Sequence, residues 1–278
     1  MAHERPRTSR WTRILLCAAA AMLPVAGAQP AAVAAPTAWN LVWSDDFTGA
    51  AGGAPDAGKW GFLTGGNGFG NQEREFYTAG RNNSFLDGGG NLVIEARKDD
   101  AAQHQCWYGT CQFTSARLTS QGKFSQARGR FEARIKIPRG QGVWPAFWAL
   151  GTNINTVGWP ACGEIDTMEN IGREPNQVHG SLHGPNGYNT SSTFSLGEPF
   201  ANGFHVFAVD WFPDHISFEV DGKIYNTQNR PAAGWAFDHP FYLVLNLAIG
   251  GSWPGSPNGS TPFPSMMDVD YVHVFTAS

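Results

Sequence analysis

Charge is scarce in this chain. Only 15% of its 278 residues are Asp, Glu, Lys or Arg, and 19 basic against 23 acidic residues leave a formal net charge of −4. That balance has no basic excess with which to neutralise a phosphate backbone, which argues against nucleic acid as a partner. Cysteine is rare too, at four residues, and no further Cys or His stands at zinc-ligand spacing beside them. Helical periodicity is nearly absent after residue 35. No Ser/Pro/Gly-rich linker or internal repeat interrupts the chain, so nothing points to an appended binding module or a repeat array.

The first 35 residues stand apart. Arg5, Arg7, Arg10 and Arg13 precede an apolar, alanine-rich stretch from Ile14 to Ala28, and small residues follow at Ala31 to Ala35. This is the pattern of an export signal cleaved near Ala35. The apolar run is short for a membrane span, and Pro24 and Pro30 interrupt it. Leu16 before Cys17 does not suit a lipoprotein signal, and there is no Arg-Arg pair for a twin-arginine signal. The expectation is a secreted, extracellular protein, monomeric and free of the membrane after cleavage, with one domain over 36–278. That part keeps 15 basic and 22 acidic residues, a balance of −7. Low charge density with abundant Gly, Trp, Asn, Ser and Thr suits a neutral, hydrated polymer as partner. Cys106 and Cys111 lie close together in a polar loop and are expected to form a disulfide in an oxidising compartment. Cys162 is left over and reads as a buried, inert thiol.

Strands are indicated along most of the chain. From Arg130 to Ile137, Phe131, Ala133, Ile135 and Ile137 alternate with Arg130, Glu132, Arg134 and Lys136, the period of a half-buried strand. Ile216, Phe218 and Val220 alternate likewise, and Asp221-Gly222 has the turn chemistry of a hairpin returning through Lys223 to Thr227. Val269, Tyr271, His273 and Phe275 share one face near the C-terminus. Leu92 to Ala96 and Phe241 to Ala248 are evenly apolar, as in strands buried on both faces. Many short strands punctuated by Gly and Pro predict an all-β sandwich.

One segment breaks the scarcity of charge. Glu164, Asp166 and Glu169 fall within six residues, beside Trp159 and Cys162. On a regular strand Glu164 and Asp166 share a face and Glu169 takes the other. Both glutamates face one cleft only if a β-bulge absorbs a residue. Retaining cleavage of a glycosidic bond needs two carboxyl groups about 5–5.5 Å apart, one ionised to attack and one protonated to donate. Asp166 between them could hydrogen-bond one glutamate and keep the two pKa values apart. The bland alternatives are a solvated strand face or a calcium loop. Calcium prefers more oxygen ligands in a polar turn, whereas Ile165 and Met168 occupy this segment.

Glu164-Ile-Asp-Thr-Met-Glu169 resembles the Glu-x-Asp-x-x-Glu signature of glycoside hydrolase family 16, in the longer form of laminarinase-like endo-β-1,3-glucanases. Gly70-Asn71-Gln72-Glu73 with Tyr77-Thr78 is similar to the same group. So are Gly142-Val-Trp144-Pro-Ala-Phe-Trp148, Gly158-Trp159-Pro-Ala-Cys-Gly163, Leu245-Asn246-Leu247-Ala-Ile-Gly-Gly251 with Trp253-Pro254-Gly255, and Val269-Asp270-Tyr271-Val272. The resemblance implies a concanavalin-like jelly roll, two antiparallel sheets with a concave substrate cleft.

By that resemblance Glu164 is the nucleophile, Asp166 its helper and Glu169 the acid/base, with His183 beside the acid/base and His179 outside the site. Trp144, Trp148, Trp159 and Trp253 are expected against sugar rings, whose C–H faces stack on aromatic planes. Asn71, Glu73, Arg117 and Asn246 are expected to hydrogen-bond sugar hydroxyls. Asp46, Gly90 and Asp270 match a structural calcium site of the family, and Asp46 reads equally well as an ordinary strand-end carboxylate. No cofactor is expected in the chemistry. The implied substrate is a β-1,3-glucan such as laminarin or curdlan. Mixed-linkage β-1,3-1,4-glucan, β-1,3-galactan or transglycosylation on the same scaffold stay open, as does a non-catalytic β-glucan-binding protein.

Overall fold

The computed structural model describes residues 38–278; the export-signal reading of residues 1–35 lies outside them. Alternation becomes layering in the strand Gly129–Lys136, where Phe131, Ala133 and Ile135 are buried and Arg130, Glu132, Arg134 and Lys136 are half-buried on the outer face. This strand belongs to an eight-stranded antiparallel sheet in the order Lys223–Asn229, His215–Val220, His205–Trp211, Gly129–Lys136, Ser265–Ala277, Leu92–Ala96 and Ser84–Leu86. The long strand Ser265–Ala277 pairs along its other edge with Leu92–Ala96 over its first part and with Trp39–Asp45 over its second.

A seven-stranded antiparallel sheet lies opposite, in the order Asn189–Ser195, Gln177–His183, Glu164–Glu169, Val143–Gly151, Phe241–Ile249, Arg117–Thr119 and Gly61–Phe62. The core fills the space between the sheets. Val143, Phe147, Ala149, Ile165, Met168, Leu243, Leu245 and Leu247 from one sheet meet Phe131, Ile135, Phe207, Val209, Val269 and Val272 from the other, all almost fully buried. This is the expected all-β jelly-roll sandwich. Phe241–Ile249 is buried throughout because its outward residues are covered as well: Tyr242 and Val244 join Leu150 and Cys162 in a second apolar cluster. The leftover thiol therefore is a buried core group. The expected hairpin is present, with Asp221 at φ 49° and Gly222 at φ 79° joining His215–Val220 to Lys223–Asn229, the backbone of a type I′ turn.

The decisive irregularity lies in Glu164–Glu169. Against the neighbouring strand, Ala146 faces Glu169, Phe147 faces Met168 and Trp148 faces Asp166, which leaves Thr167 without a partner. The pairing with Gln177–His183 shifts in the same place. Ile165 and Met168 both point into the core although they are three residues apart, so the extra residue has reversed the parity of the pleat. Glu164, Asp166 and Glu169 consequently share the outer face. Phe147, directly behind this bulge and fully buried, holds it against the core. Replacing it by alanine is expected to cost about 3–5 kcal/mol, read as a lower midpoint in denaturant unfolding; a loss near zero would show that the bulge does not depend on this packing.

Candidate active site

Parity along Val143–Gly151 sends Val143, Phe147 and Ala149 into the core and Trp144, Ala146, Trp148 and Leu150 to the outer face. A cleft of about 580 Å³ lies over that face, lined by Glu164, Asp166 and Glu169 along its wall. Trp144, Trp148, Trp159, Trp253, His183, Asn71, Glu73, Arg117 and Asn246 all line it too. Every residue expected to touch sugar is thus brought together. Gly163 makes the entry into the strand Glu164–Glu169 possible: its φ is 78°, and a side chain there would meet the Phe241 ring at 2.6 Å.

Each glutamate is held by a tryptophan. Trp144 Nε1 donates to Glu169 Oε1 at 3.0 Å, and Trp159 Nε1 donates to Glu164 Oε2 at 3.2 Å. Trp253 meets the Trp144 ring edge-on at 5.5 Å. Trp159 is 58% exposed, which leaves its ring face open to a ligand. On the opposite side of the cleft the polar groups form a chain. Trp148 Nε1 donates to Asn246 Oδ1 (2.8 Å), Asn246 Nδ2 to Tyr77 Oη (3.2 Å), Tyr77 Oη to Glu73 Oε2 (2.8 Å), and Asn71 Nδ2 to Glu73 Oε1 (3.1 Å). The Arg117 guanidinium lies between the rings of Phe69 and Trp148, 4.7 Å from each.

The position of His183 differs from the expectation. It faces Glu164 across the strand pair, with Nε2 3.8 Å from Glu164 Oε1 and 3.1 Å from Asp166 Oδ2. It therefore sits beside the Glu164–Asp166 pair and not beside Glu169. The residue facing Glu169 is His179, buried behind the Trp253 ring at 5.0 Å and outside the cleft lining. The antiparallel register itself puts His183 opposite Glu164, and the residue extruded between Asp166 and Glu169 brings His179, in place of Val178, opposite Glu169. Phe69, Ser181, Asn189 and Ser191 also line the cleft and were not anticipated. For the last three the sequence did hold a signal, since they continue the outward parity set by His183 on the next strand pair.

Burial, and then mutual charge, set the proton affinities. Burial first, then the Asp166 charge, push Glu164 up to about 8, while His183, Arg117 and the Trp159 N–H act against this. Burial pushes Asp166 up to about 8 as well. Glu169 is held well above the usual carboxylate range, by burial first and then by the charges of Asp166 and Glu164. Three carboxyls this close cannot all ionise, so the cluster retains protons at neutral pH. Of the two glutamates, Glu164 has the more help in carrying charge. Glu164, Asp166 and His183 offer ligand atoms within 4.8 Å of one another, among the described residues the one such set. A metal ion there would occupy the same carboxylates that an attacking group needs.

The proposed calcium residues lie elsewhere. Asp46 accepts a contact from His273 Nε2 at 2.8 Å, Asp270 pairs with Arg134, and Gly90 has φ 96° with open space around it. Since both carboxylates are engaged by basic side chains, a calcium ion would draw on main-chain oxygens or displace those partners. Cys106 and Cys111 form the expected disulfide, with Cα atoms 5.1 Å apart.

Comparison with known proteins agrees with this geometry. The family model for glycosyl hydrolases family 16 matches residues 71–273. The chain belongs to glycoside hydrolase family 16. A β-glucanase of Rhodothermus marinus is 42% identical over 255 residues, covering 85% of each chain. A glucan endo-1,3-β-glucosidase A1 of Niallia circulans is 39% identical across 85% of this chain and 38% of its own length. The laminarinase catalytic domain of Thermotoga maritima superposes with a TM-score of 0.79 at 42% identity, over 86% of this chain and 99% of that one. The outward-facing carboxylates of this chain thus lie inside the segment that the family 16 model matches.

A carboxyl whose folded pKa is raised gives stability that is present at low pH and lost as pH rises through the folded value. For Glu164 that window runs from about 4.5 to about 8. Glu164→Gln is therefore expected to gain thermal stability relative to the unmodified protein as pH rises from 5 to 9, by at least about 2 °C. Melting curves that shift in parallel at both pH values would contradict the crowding described here.

Proposed function

We propose that this family 16 enzyme hydrolyses internal β-1,3-glucosidic bonds of laminarin- and curdlan-type β-glucans with retention of configuration. The observation that carries the mechanism is the bulge at Thr167, which sets Glu164 and Glu169 on one wall of an open cleft. The unequal support for their charges favours Glu164 as nucleophile and Glu169 as acid/base.

In the first step the ionised Glu164 attacks the anomeric carbon as the bond to the leaving oxygen breaks, and Glu169 gives its proton to that oxygen. A glycosyl ester of Glu164 results, and Glu169 is left as a carboxylate. In the second step Glu169 takes a proton from water, the water oxygen bonds to the anomeric carbon, and the ester bond to Glu164 breaks. Asp166, with His183 beside it, holds Glu164 and adjusts its charge. The raised proton affinity of Glu169 keeps it neutral at the outset, so it has a proton to give as negative charge builds on the leaving oxygen. Trp144, Trp148, Trp159 and Trp253 give flat surfaces for sugar faces, and Asn71, Glu73, Arg117 and Asn246 give hydroxyl partners. The low charge density of the chain as a whole suits a neutral glucan.

Two substitutions test the roles. Glu164→Ser should abolish laminarin hydrolysis while oligosaccharide binding persists; normal turnover by it would remove Glu164 as nucleophile. Glu169→Ala should lose activity on laminarin yet recover part of it on an aryl β-glucoside supplied with azide, with a β-glycosyl azide as product. NMR of early laminarin products reads linkage and anomer together, and parallel digestion of curdlan, lichenan and β-1,3-galactan ranks the alternative substrates. Predominant transfer to sugar acceptors in the same spectra would mark a transglycosylase.

We read the chain as exported. The Cys106–Cys111 disulfide supports an oxidising compartment. Among the described residues no helix is long and apolar enough to cross a membrane. Calcium at Asp46, Gly90 and Asp270 is a structural proposal alone. It is expected to raise the thermal midpoint by a few degrees over a chelator-treated sample, and equal midpoints would eliminate the site.

A further inference from the structure

The disulfide lies beside the cleft and not within it. Cys106 and Cys111 close a hairpin in which Gln105–Cys106 pairs with Gly109–Thr110. The tip residues Trp107 and Tyr108 turn their polar groups onto the loop that carries Asn71 and Glu73. Trp107 N donates to Gly66 O at 2.7 Å, and its indole Nε1 donates to Glu73 O at 2.7 Å. Tyr108 Oη donates to Arg74 O and accepts from Gln112 N at 3.0 Å. The Arg74 guanidinium covers the Tyr108 ring at 4.8 Å and donates to Gln112 Oε1 at 2.9 Å. The loop thus meets the hairpin at both ends, at Gly66 and at Glu73–Arg74.

Local sterics show how close the fit is. Gly68 has φ +78°, and a side chain there would come within 3.0 Å of the Trp107 indole; one at Gly66 would come within 2.7 Å of Cys106 Sγ. The loop has further ties: Tyr77 Oη donates to Glu73 Oε2, and the Phe69 ring packs against the Tyr77 ring and the Arg117 guanidinium. Asn71 N and Glu73 N bond back to Gly68 O, Arg74 N donates to Ile249 O, and Ser252 N donates to Asn71 O. Two of its residues, Phe69 and Gln72, hold positive φ, a conformation that needs outside support.

We propose that the Cys106–Cys111 hairpin is a disulfide-dependent clamp that positions Asn71 and Glu73 for the sugar chain, with Trp107 and Tyr108 as its positioning residues. Trp107, 52% exposed, contributes through its bound edge and not as a wall of the cleft. The clamp rests on the reading of the cleft as a glucan site. It places no group near Glu164 or Glu169, so its loss acts on binding and not on the chemical step. Reduction of the two sulfurs would slacken the loop and make substrate affinity depend on the redox state of the surroundings.

The test compares the oxidised protein, the same protein treated with a dithiol, Cys106→Ser/Cys111→Ser and Trp107→Phe, which leaves a smaller aromatic ring and removes the donor to Glu73. Amide hydrogen exchange over 66–74 is expected to quicken roughly tenfold in the serine pair and on reduction, and less in Trp107→Phe. KM for laminarin should rise roughly five- to tenfold with kcat within about twofold. Unchanged exchange in 66–74 overturns the clamp, and so does a fall in kcat at constant KM. If the oxidised protein neither binds nor cleaves laminarin, the glucan reading fails and the exchange measurement alone decides the clamp.

Discussion

Everything in this site depends on one unpaired residue in a strand. Thr167 has no partner on the neighbouring strand, and through that offset Met168 returns to the core while Glu169 turns outward with Glu164. The energetics favour it from both sides. Ile165 and Met168 are fully buried, each worth about 1.5–3 kcal/mol in the core, and an unbulged strand would drive either Met168 or a carboxylate into the wrong layer. The apolar residues thereby fix where the carboxylates go.

Bringing three carboxyls onto one wall has an electrostatic cost, and the surroundings distribute it unequally. Glu164 has His183, Arg117 and the Trp159 N–H to favour its charge, whereas Glu169 has chiefly the Trp144 N–H against two like charges and deep burial. Two chemically identical side chains five residues apart thus differ in proton affinity. That difference is what an acid and a nucleophile sharing one site require. Trp144 and Trp159 serve twice, since each fixes a carboxylate with its N–H and presents a ring to the cleft.

Support for the cleft comes in layers. Behind it the Tyr242, Val244, Leu150 and Cys162 cluster backs Trp148; beside it the chain from Trp148 through Asn246 and Tyr77 ends on Glu73; at its far side the disulfide hairpin braces the loop bearing Asn71. Side chains that line the cleft are held by others that do not, which limits the entropy lost when a flexible ligand is bound there.

Much of this was legible in the residues. Strict alternation at Phe131 to Ile137 and the Asp221-Gly222 turn determined strands and a hairpin, because side-chain period and turn chemistry are local properties. The scarcity of charge elsewhere made the Glu164, Asp166 and Glu169 cluster visible, and its spacing already required a bulge if both glutamates were to meet one ligand. The sequence could not say which residue would be extruded, nor that His183 would stand by Glu164 while His179 faced Glu169. Those pairings follow from register between strands, which is set by the packing of Phe147, Ile165 and Met168 against a second sheet. The bond from the Trp107 indole to Glu73 O joins residues 34 positions apart, and only the folded chain brings them within reach.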